Sequence, residues 1–323
     1  MRRITTQVGI IGAGPAGLVL AHALHRAGIE CVVVERGSRE EVEQRARAGL
    51  LEHRTVDHLR RAGLADRLLA EARRHHWCEF RCLGRAVRVD YGALSDGLSH
   101  WVYPQQALVR DLIARLPAGL LMFGTPIRTV TGISSRRPVL LAEGLELVCD
   151  YVAGCDGSHG VGRSLLLDAG ASLLERGYPH HWLAVLADAD RPVDGIVYAA
   201  GADGFAGMMP RTSRVARYYL QCPPADTPQQ WPAARTAREL HGRLGPHTTP
   251  LPSPGDITDT QLLELRGQVV DRPAHGRLLL AGDAAHTLTP CGAKGMNLAV
   301  ADAVDLATSL AEALGGDDRR LRG

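Results

Sequence analysis

Lysine is almost absent from this chain: Lys294 stands alone, and the other basic residues are arginines. Together the 37 Lys+Arg face 35 Asp+Glu, a formal net charge of +2. Binding to nucleic acid through phosphates needs a clustered basic excess, so that class of partner is not expected. Cysteine is sparse. Seven are present, an odd number without a CxxC pair, which at this length argues against a disulfide scaffold. Cys78-x-x-x-Cys82 lacks a second Cys/His pair at zinc spacing, so no metal is expected. No segment approaches about 18 uncharged apolar residues, so no membrane partner is expected either. Arg2 and Arg3 ahead of the apolar stretch Val8–Leu24 outline a signal peptide, but glycines and a proline break that stretch as a helix. The expected location is the cytoplasm.

What the chain does have is glycine, 36 residues against a usual share of roughly 7%, and a 45% hydrophobic content ample for a large core. Gln7–Ile11 is a short β-branched run and reads as a buried parallel strand. Leu18–Arg26 has helical spacing, stopped by Gly28, and Cys31–Glu35 reads as a second strand. Arg45–Ala72 reads as helical, Phe80–Tyr91 as strands, Ala107–Leu116 as a helix and Tyr151–Gly154 as a buried strand. The stretch Leu183–Leu220 is strand-rich. Cys222–Ile257 is rich in Pro, Gly and Thr around one helix near Ala233–Leu244. Arg277–Ala281 returns to the buried-strand pattern before an Ala/Leu helix over Ala299–Leu314. Nucleotide-type elements therefore open and close the chain around a strand-rich module. This is an α/β architecture with a discontinuous first domain over 1–72, 96–177 and 266–323, and a second over 73–95 and 178–265.

Gly12-Ala-Gly14-Pro-Ala16-Gly17 lies between the first strand and helix. The first glycine permits the tight turn, the second a close approach to a pyrophosphate, and the third packing of helix on strand. Glu35 closes the second strand, placed to accept from ribose hydroxyls. A bound dinucleotide follows, without separating NAD from FAD. Two later motifs make that separation: Gly154-Cys-Asp156-Gly157 and Ala281-Gly-Asp283-Ala-Ala-His286, each after a predicted strand. Pro290-Cys-Gly-Ala-Lys-Gly-Met296-Asn297 then opens the last helix.

This series resembles the group A FAD-dependent aromatic hydroxylases. With Arg45-x-Arg47-Ala-Gly-Leu-Leu-Glu52, Tyr103-Pro-Gln105, Gly154–Gly160, Arg217–Gln221 and His275–Asn297, the resemblance narrows to the 4-hydroxybenzoate 3-monooxygenase family. It implies a Rossmann-like, glutathione-reductase-type FAD domain with an inserted β-sheet substrate domain. It implies FAD contacts at Glu35, Arg45, Arg47, Gln105, Asp156, Asp283, Met296 and Asn297. Contacts to NADPH or NADH fall on Arg36, Arg47, His159 and Arg266, which alone would read as a solvated basic surface. For the substrate, a small phenolic carboxylate used with O2, it implies Tyr198 on the phenol and Arg211 with Tyr219 on the carboxylate. The Pro290 carbonyl would face the phenol oxygen, and His75 would end a proton relay. Without the resemblance, Tyr198 and Tyr219 read as aromatic core and His75 as a surface histidine.

Three departures stand out. Met209 replaces a family serine that binds the carboxylate, and Cys291 replaces a threonine. The chain also ends at Gly323, where the family continues into a helical segment carrying a relay tyrosine and dimer contacts. A short or missing C-terminal helical region is expected, with a homodimer left open. The implied reaction is ortho-hydroxylation of a phenolic acid, 4-hydroxybenzoate to 3,4-dihydroxybenzoate. Alternatives are the same chemistry on another phenol, a flavoprotein that does not hydroxylate, and a plain NAD dehydrogenase.

Overall fold

A computed structural model describes residues 1–45, 49–189, 195–245 and 251–316. Arg47 lies outside them. Five parallel strands run side by side in the order Leu278–Leu280, Leu145–Gly154, Arg2–Ile11, Cys31–Val34 and Leu121–Met122. Val8, Ile10, Val33, Val152 and Leu278 are fully buried, as a sheet covered on both faces requires. Val139–Ala142 and Thr129–Thr131 extend it as an antiparallel flap. The helices Pro15–Arg26 and Lys294–Leu314 pack together on one face, and Val161–Asp168 covers the other. Pro15 opens its helix at a position where the missing N–H is not needed.

A second sheet has eight strands. Its long members are Leu173–Asp188 and Ile257–Val270, paired antiparallel. Val215–Cys222, Gly204–Pro210 and Ile196–Gly201 follow, and Trp77–Cys82 joins parallel to the last of these. Alternation divides the side chains between two faces. Val185, Val197, Met208, Tyr218 and Leu220 point to one face, where the helix Ala233–Leu244 covers them. Ile196, Tyr198, Met209, Arg217 and Tyr219 occupy the alternate positions. A small third sheet pairs Leu50–Leu51 and Arg73–His75 with His100–Val102.

One stretch departs from expectation. The helical reading of Arg45–Ala72 is broken into the strand Leu50–Leu51 and the helices His53–Arg61 and Asp66–Glu71. Gly63, at φ +71°, ends the first helix, and Gly49 lies so close to Tyr103 that a Cβ would meet its carbonyl oxygen at 2.1 Å. The last helix begins at Lys294, inside the Pro290–Asn297 motif expected to open it, because Ala293 at φ +50° turns the chain into it. Among the described residues no helix is long and apolar enough to cross a membrane.

Candidate active site

The turn after the first strand separates what the fold needs from what a ligand needs. Gly12 sits at φ +104°, and a Cβ there would lie 2.5 Å from the Cys155 carbonyl oxygen. A Cβ on Gly17 would lie 2.0 Å from the Gly12 carbonyl oxygen. Both are glycine because the chain allows nothing larger. Gly14 is different. It has φ −77° and a Cβ would meet nothing within 4 Å. The space over it borders a helix N-terminus with no side-chain cap, whose first N–H groups suit an anion. Buried Glu35 accepts N–H bonds from Ala13 (2.8 Å) and Gly37 (2.8 Å). Each oxygen keeps a further lone pair for a ribose hydroxyl. Ala16 packs against Gly282, joining this turn to the later Gly-Asp motif. These features fit the pyrophosphate and ribose of FAD.

The other cofactor candidates fall around this turn. Arg36 and Arg45 line a surface hollow with Glu41, Gln44 and Pro126. Gln105 begins the helix Gln105–Arg115. Asp156 turns its carboxylate inward, accepting the Gly162 N–H at 3.0 Å, and a Cβ on Gly160 would overlap it. Burial pushes that carboxyl up, against the pull of these N–H groups. His159 and Arg266 are neighbours, with ring nitrogen and guanidinium 3.4 Å apart. Met296 and Asn297 lie in the first turn of the terminal helix. The Asn297 side chain is fully engaged. It accepts from the Glu52 N–H and the Thr55 hydroxyl and donates to the Leu50 and Ala293 carbonyls. Only its backbone remains for a ligand.

Two supports of the Gly-Asp motif escaped the sequence. Buried Arg163 donates to the carbonyls of Asp283 and Ala284 and to Gln268. Asp302 accepts from the Gly282 N–H (2.8 Å) and from His286 (2.7 Å), the bond that raises the imidazole above its ordinary range. Both partners are remote in sequence, so no local spacing marks them.

Between the second sheet and the small third sheet lies a cavity. Leu50, Val102 and Ile196 give it apolar walls, and Pro290 and Ala293 bound it at the start of the terminal helix. Met209, Arg211, Arg217 and Tyr219 line it from the second sheet. Arg217 was not anticipated as a site residue. It alternates with Tyr219 on one strand, its guanidinium 5.7 Å from that ring, and its Nε is buried without a partner. Burial and the charge of Arg217 push Arg211 down to about 10, still protonated at neutral pH. Among the described residues no carboxylate pairs with either arginine. Two half-buried guanidiniums with a phenol make a site for an anionic oxygen pair. Tyr198 stands next to the cavity wall, two residues past Ile196, with its ring stacked 5.4 Å from Phe80. Burial and then Cys78, Cys291 and Tyr219 push it up to about 12, so its hydroxyl stays neutral.

His75 lies on the third sheet, opposite His100. It is buried, bonded to the Tyr91 hydroxyl, and pushed down to about 4 by burial and by His100 and His76. A histidine whose folded value lies below its unfolded one near 6.5 stabilises the fold fully above that value. The contribution, about 3 kcal/mol for His75, is lost as pH falls toward about 4. His22 acts in the same direction and His286 in the opposite one. The melting temperature should fall by several degrees between pH 7 and pH 5, and His75→Asn should flatten that slope. A profile identical in the two proteins would refute the assignment.

A parallel nucleotide sheet, a glycine turn fit for a dinucleotide and two half-buried arginines lining a cavity mark a flavin-dependent oxidoreductase. The FAD binding domain family matches residues 5–322, and the chain belongs to it and to its FAD-dependent aromatic hydroxylases. It is 37% identical to the p-hydroxybenzoate hydroxylase of Acinetobacter baylyi, over 97% of this chain and 78% of that one. It is 31% identical to a 12-dehydrotetracycline 5-monooxygenase/anhydrotetracycline 6-monooxygenase of Streptomyces rimosus, over 96% of this chain but 63% of that one. Pseudomonas aeruginosa PqsL, solved with 2-aminobenzoylacetate, shares the fold at a TM-score of 0.86 and 24% identity, over 97% of this chain and 88% of that one. The chain is an enzyme, an FAD-dependent monooxygenase with NAD(P)H as the reductant typical of its class.

Proposed function

We propose that the enzyme hydroxylates 4-hydroxybenzoate ortho to its hydroxyl group, giving 3,4-dihydroxybenzoate. The observation that carries this reading is Arg211 and Arg217 with Tyr219 in the lining of an otherwise apolar cavity. A flat benzoate fits such walls, and its carboxylate matches the guanidiniums. Bound FAD supplies the two-electron chemistry by which NAD(P)H and O2 yield one ring oxygen and one water. The protein's own residues do the rest. Arg211 and Tyr219 hold the carboxylate, Tyr198 and the Pro290 carbonyl meet the phenol oxygen, and the apolar walls exclude water. Arg36, His159 and Arg266 offer positive surface for the nicotinamide cofactor.

Met209 supports a second reading. It lines the cavity without offering a hydrogen bond, so a different phenolic acid could be the better substrate. NADPH oxidation by the FAD-loaded enzyme, with and without 4-hydroxybenzoate, tests both, with products analysed in the same tubes. Stimulated oxidation with 3,4-dihydroxybenzoate formed is the expected result. Stimulation yielding only hydrogen peroxide would shift the substrate to another phenol. No stimulation by any phenolic acid would leave a flavoprotein that does not hydroxylate.

A further inference from the structure

The Gly282-Asp283 turn is wedged between two helices. Gly282 sits at φ +64°, and a Cβ there would lie 3.1 Å from Ala299 on the terminal helix and 3.2 Å from Ala16 on the first. Asp302 stands one turn past Ala299, on the same face of the terminal helix. A single oxygen, Asp302 Oδ2, accepts both from the Gly282 N–H at 2.8 Å and from His286 Nε2 at 2.7 Å. Both ends of the segment 282–286 are therefore tied to one carboxylate. The pair is no surface bridge, since the His286 and Asp302 side chains are only 19% and 26% exposed. His286 Nδ1 is buried with no partner among the described residues, so Asp302 is the group that orients the ring. Four residues past His286, Pro290 lines the cavity, and Ala293 turns the chain into the helix that carries Asp302. Arg163 holds the other side of the turn through the Asp283 and Ala284 carbonyls and reaches the Thr287 hydroxyl at 3.3 Å.

We propose that Asp302 and His286 are positioning residues for FAD, locking the Gly282-Asp283 turn onto the terminal helix with a strength set by the protonation of the imidazole. The proposal needs FAD bound at this turn and holds whichever phenol is the substrate. An imidazolium donating to a carboxylate makes a shorter, stronger bond than a neutral ring does. The charged ring therefore holds the turn more tightly, and FAD bound to the held turn favours the charged ring in return. The groups facing His286 agree with this. Asp302 on the terminal helix raises the imidazole against the pull of burial, and Asp283 on the turn adds to it. On the adjoining strand Val269 stands opposite His286 and Gln268 opposite Thr287, neither of them charged. Arg163, the cation on that side, is bonded to the carbonyls of the turn. Cys155, pushed up by burial and by Asp156 and Asp302, stays a neutral thiol. An imidazole raised above its ordinary 6.5 carries the charged bond fully below that pH and loses it as pH rises through the folded value. FAD should be held most firmly in mild acid and leave faster as the solution turns alkaline.

The test follows FAD release from the full-chain holoenzyme, read as free-flavin fluorescence after dilution, from about pH 6 to about pH 9. Wild type should release FAD several times faster at the alkaline end, through one step lying above pH 6.5. Asp302→Asn keeps an acceptor for the Gly282 N–H but offers the ring no charge. Its release at low pH should be about tenfold faster or more, and without a step. His286→Gln keeps a donor for Asp302 but cannot titrate, so it should release FAD at the alkaline wild-type rate at every pH. A step that survives in His286→Gln, or wild-type release from Asp302→Asn, would overturn the proposal, as would a wild-type profile with no step. If Asp302→Asn were recovered without FAD, His286→Gln would decide. Loss of the step there supports the lock, and its survival overturns it.

Discussion

Arg211→Ala is expected to weaken 4-hydroxybenzoate binding by on the order of a hundredfold or more, about 3 kcal/mol, while FAD content stays unchanged. The loss is large because the carboxylate would sit in an apolar cavity with one guanidinium instead of two. The free enzyme should behave in the opposite way. Burial, and then the like charge of Arg217, hold Arg211 down to about 10. Removing one charge should leave the ligand-free melting temperature level or slightly higher. Binding loss without stability loss distinguishes a ligand-holding arginine from a structural one. Arg211→Lys should restore charge but only part of the affinity, since an ammonium lacks the planar fork that meets two oxygens. Titration of flavin absorbance with the ligand measures all three proteins. Unchanged affinity in Arg211→Ala would remove this residue from the substrate site.

Two glycines of the first turn should fail in different ways when changed to alanine. In Gly17→Ala the new methyl would lie 2.0 Å from the Gly12 carbonyl oxygen, so helix and turn must separate. The protein should lose FAD and several kcal/mol of stability together, at roughly the scale of a severe core clash. In Gly14→Ala the methyl meets nothing within 4 Å of the chain, and the backbone is already in a region open to any residue. Exchanging glycine for alanine at a helix N-cap costs about 1 kcal/mol or less. The apoprotein should therefore fold nearly as well as wild type, while FAD affinity drops about tenfold or more as the methyl enters the pyrophosphate's space. Apoprotein melting and FAD titration separate the two. A Gly14→Ala protein with wild-type FAD affinity would mean that the cofactor does not cross this turn.

The nucleotide cradle was legible because it is local. Residues 7–35 hold strand, turn, helix, strand and acid in succession, and each step rests on a short-range rule: β-branched burial, positive φ, proline at a helix start. The Gly-Asp motif was legible as a motif, but not its supports. Arg163 reaches it from 121 residues away, and Asp302 from the face of the terminal helix. The reading of Arg45–Ala72 as helical failed for a related reason. Leu50–Leu51 pairs with a strand some fifty residues later, and that pairing outweighs local propensity.

By itself the sequence determined that this chain binds a dinucleotide through a Rossmann-like start, and its ordered motifs placed it among flavin-dependent hydroxylases. Those features depend on neighbours along the chain, where spacing dictates geometry. Only the tertiary structure decided that Arg217 joins Arg211 in the cavity, that the Asn297 side chain is occupied with holding Leu50, Glu52 and Thr55, and that Tyr91 and His100 close around His75. Strand register and sheet-to-sheet packing bring those residues together. The energy of burying charges and imidazoles depends on which distant groups face them, and no residue spacing encodes that.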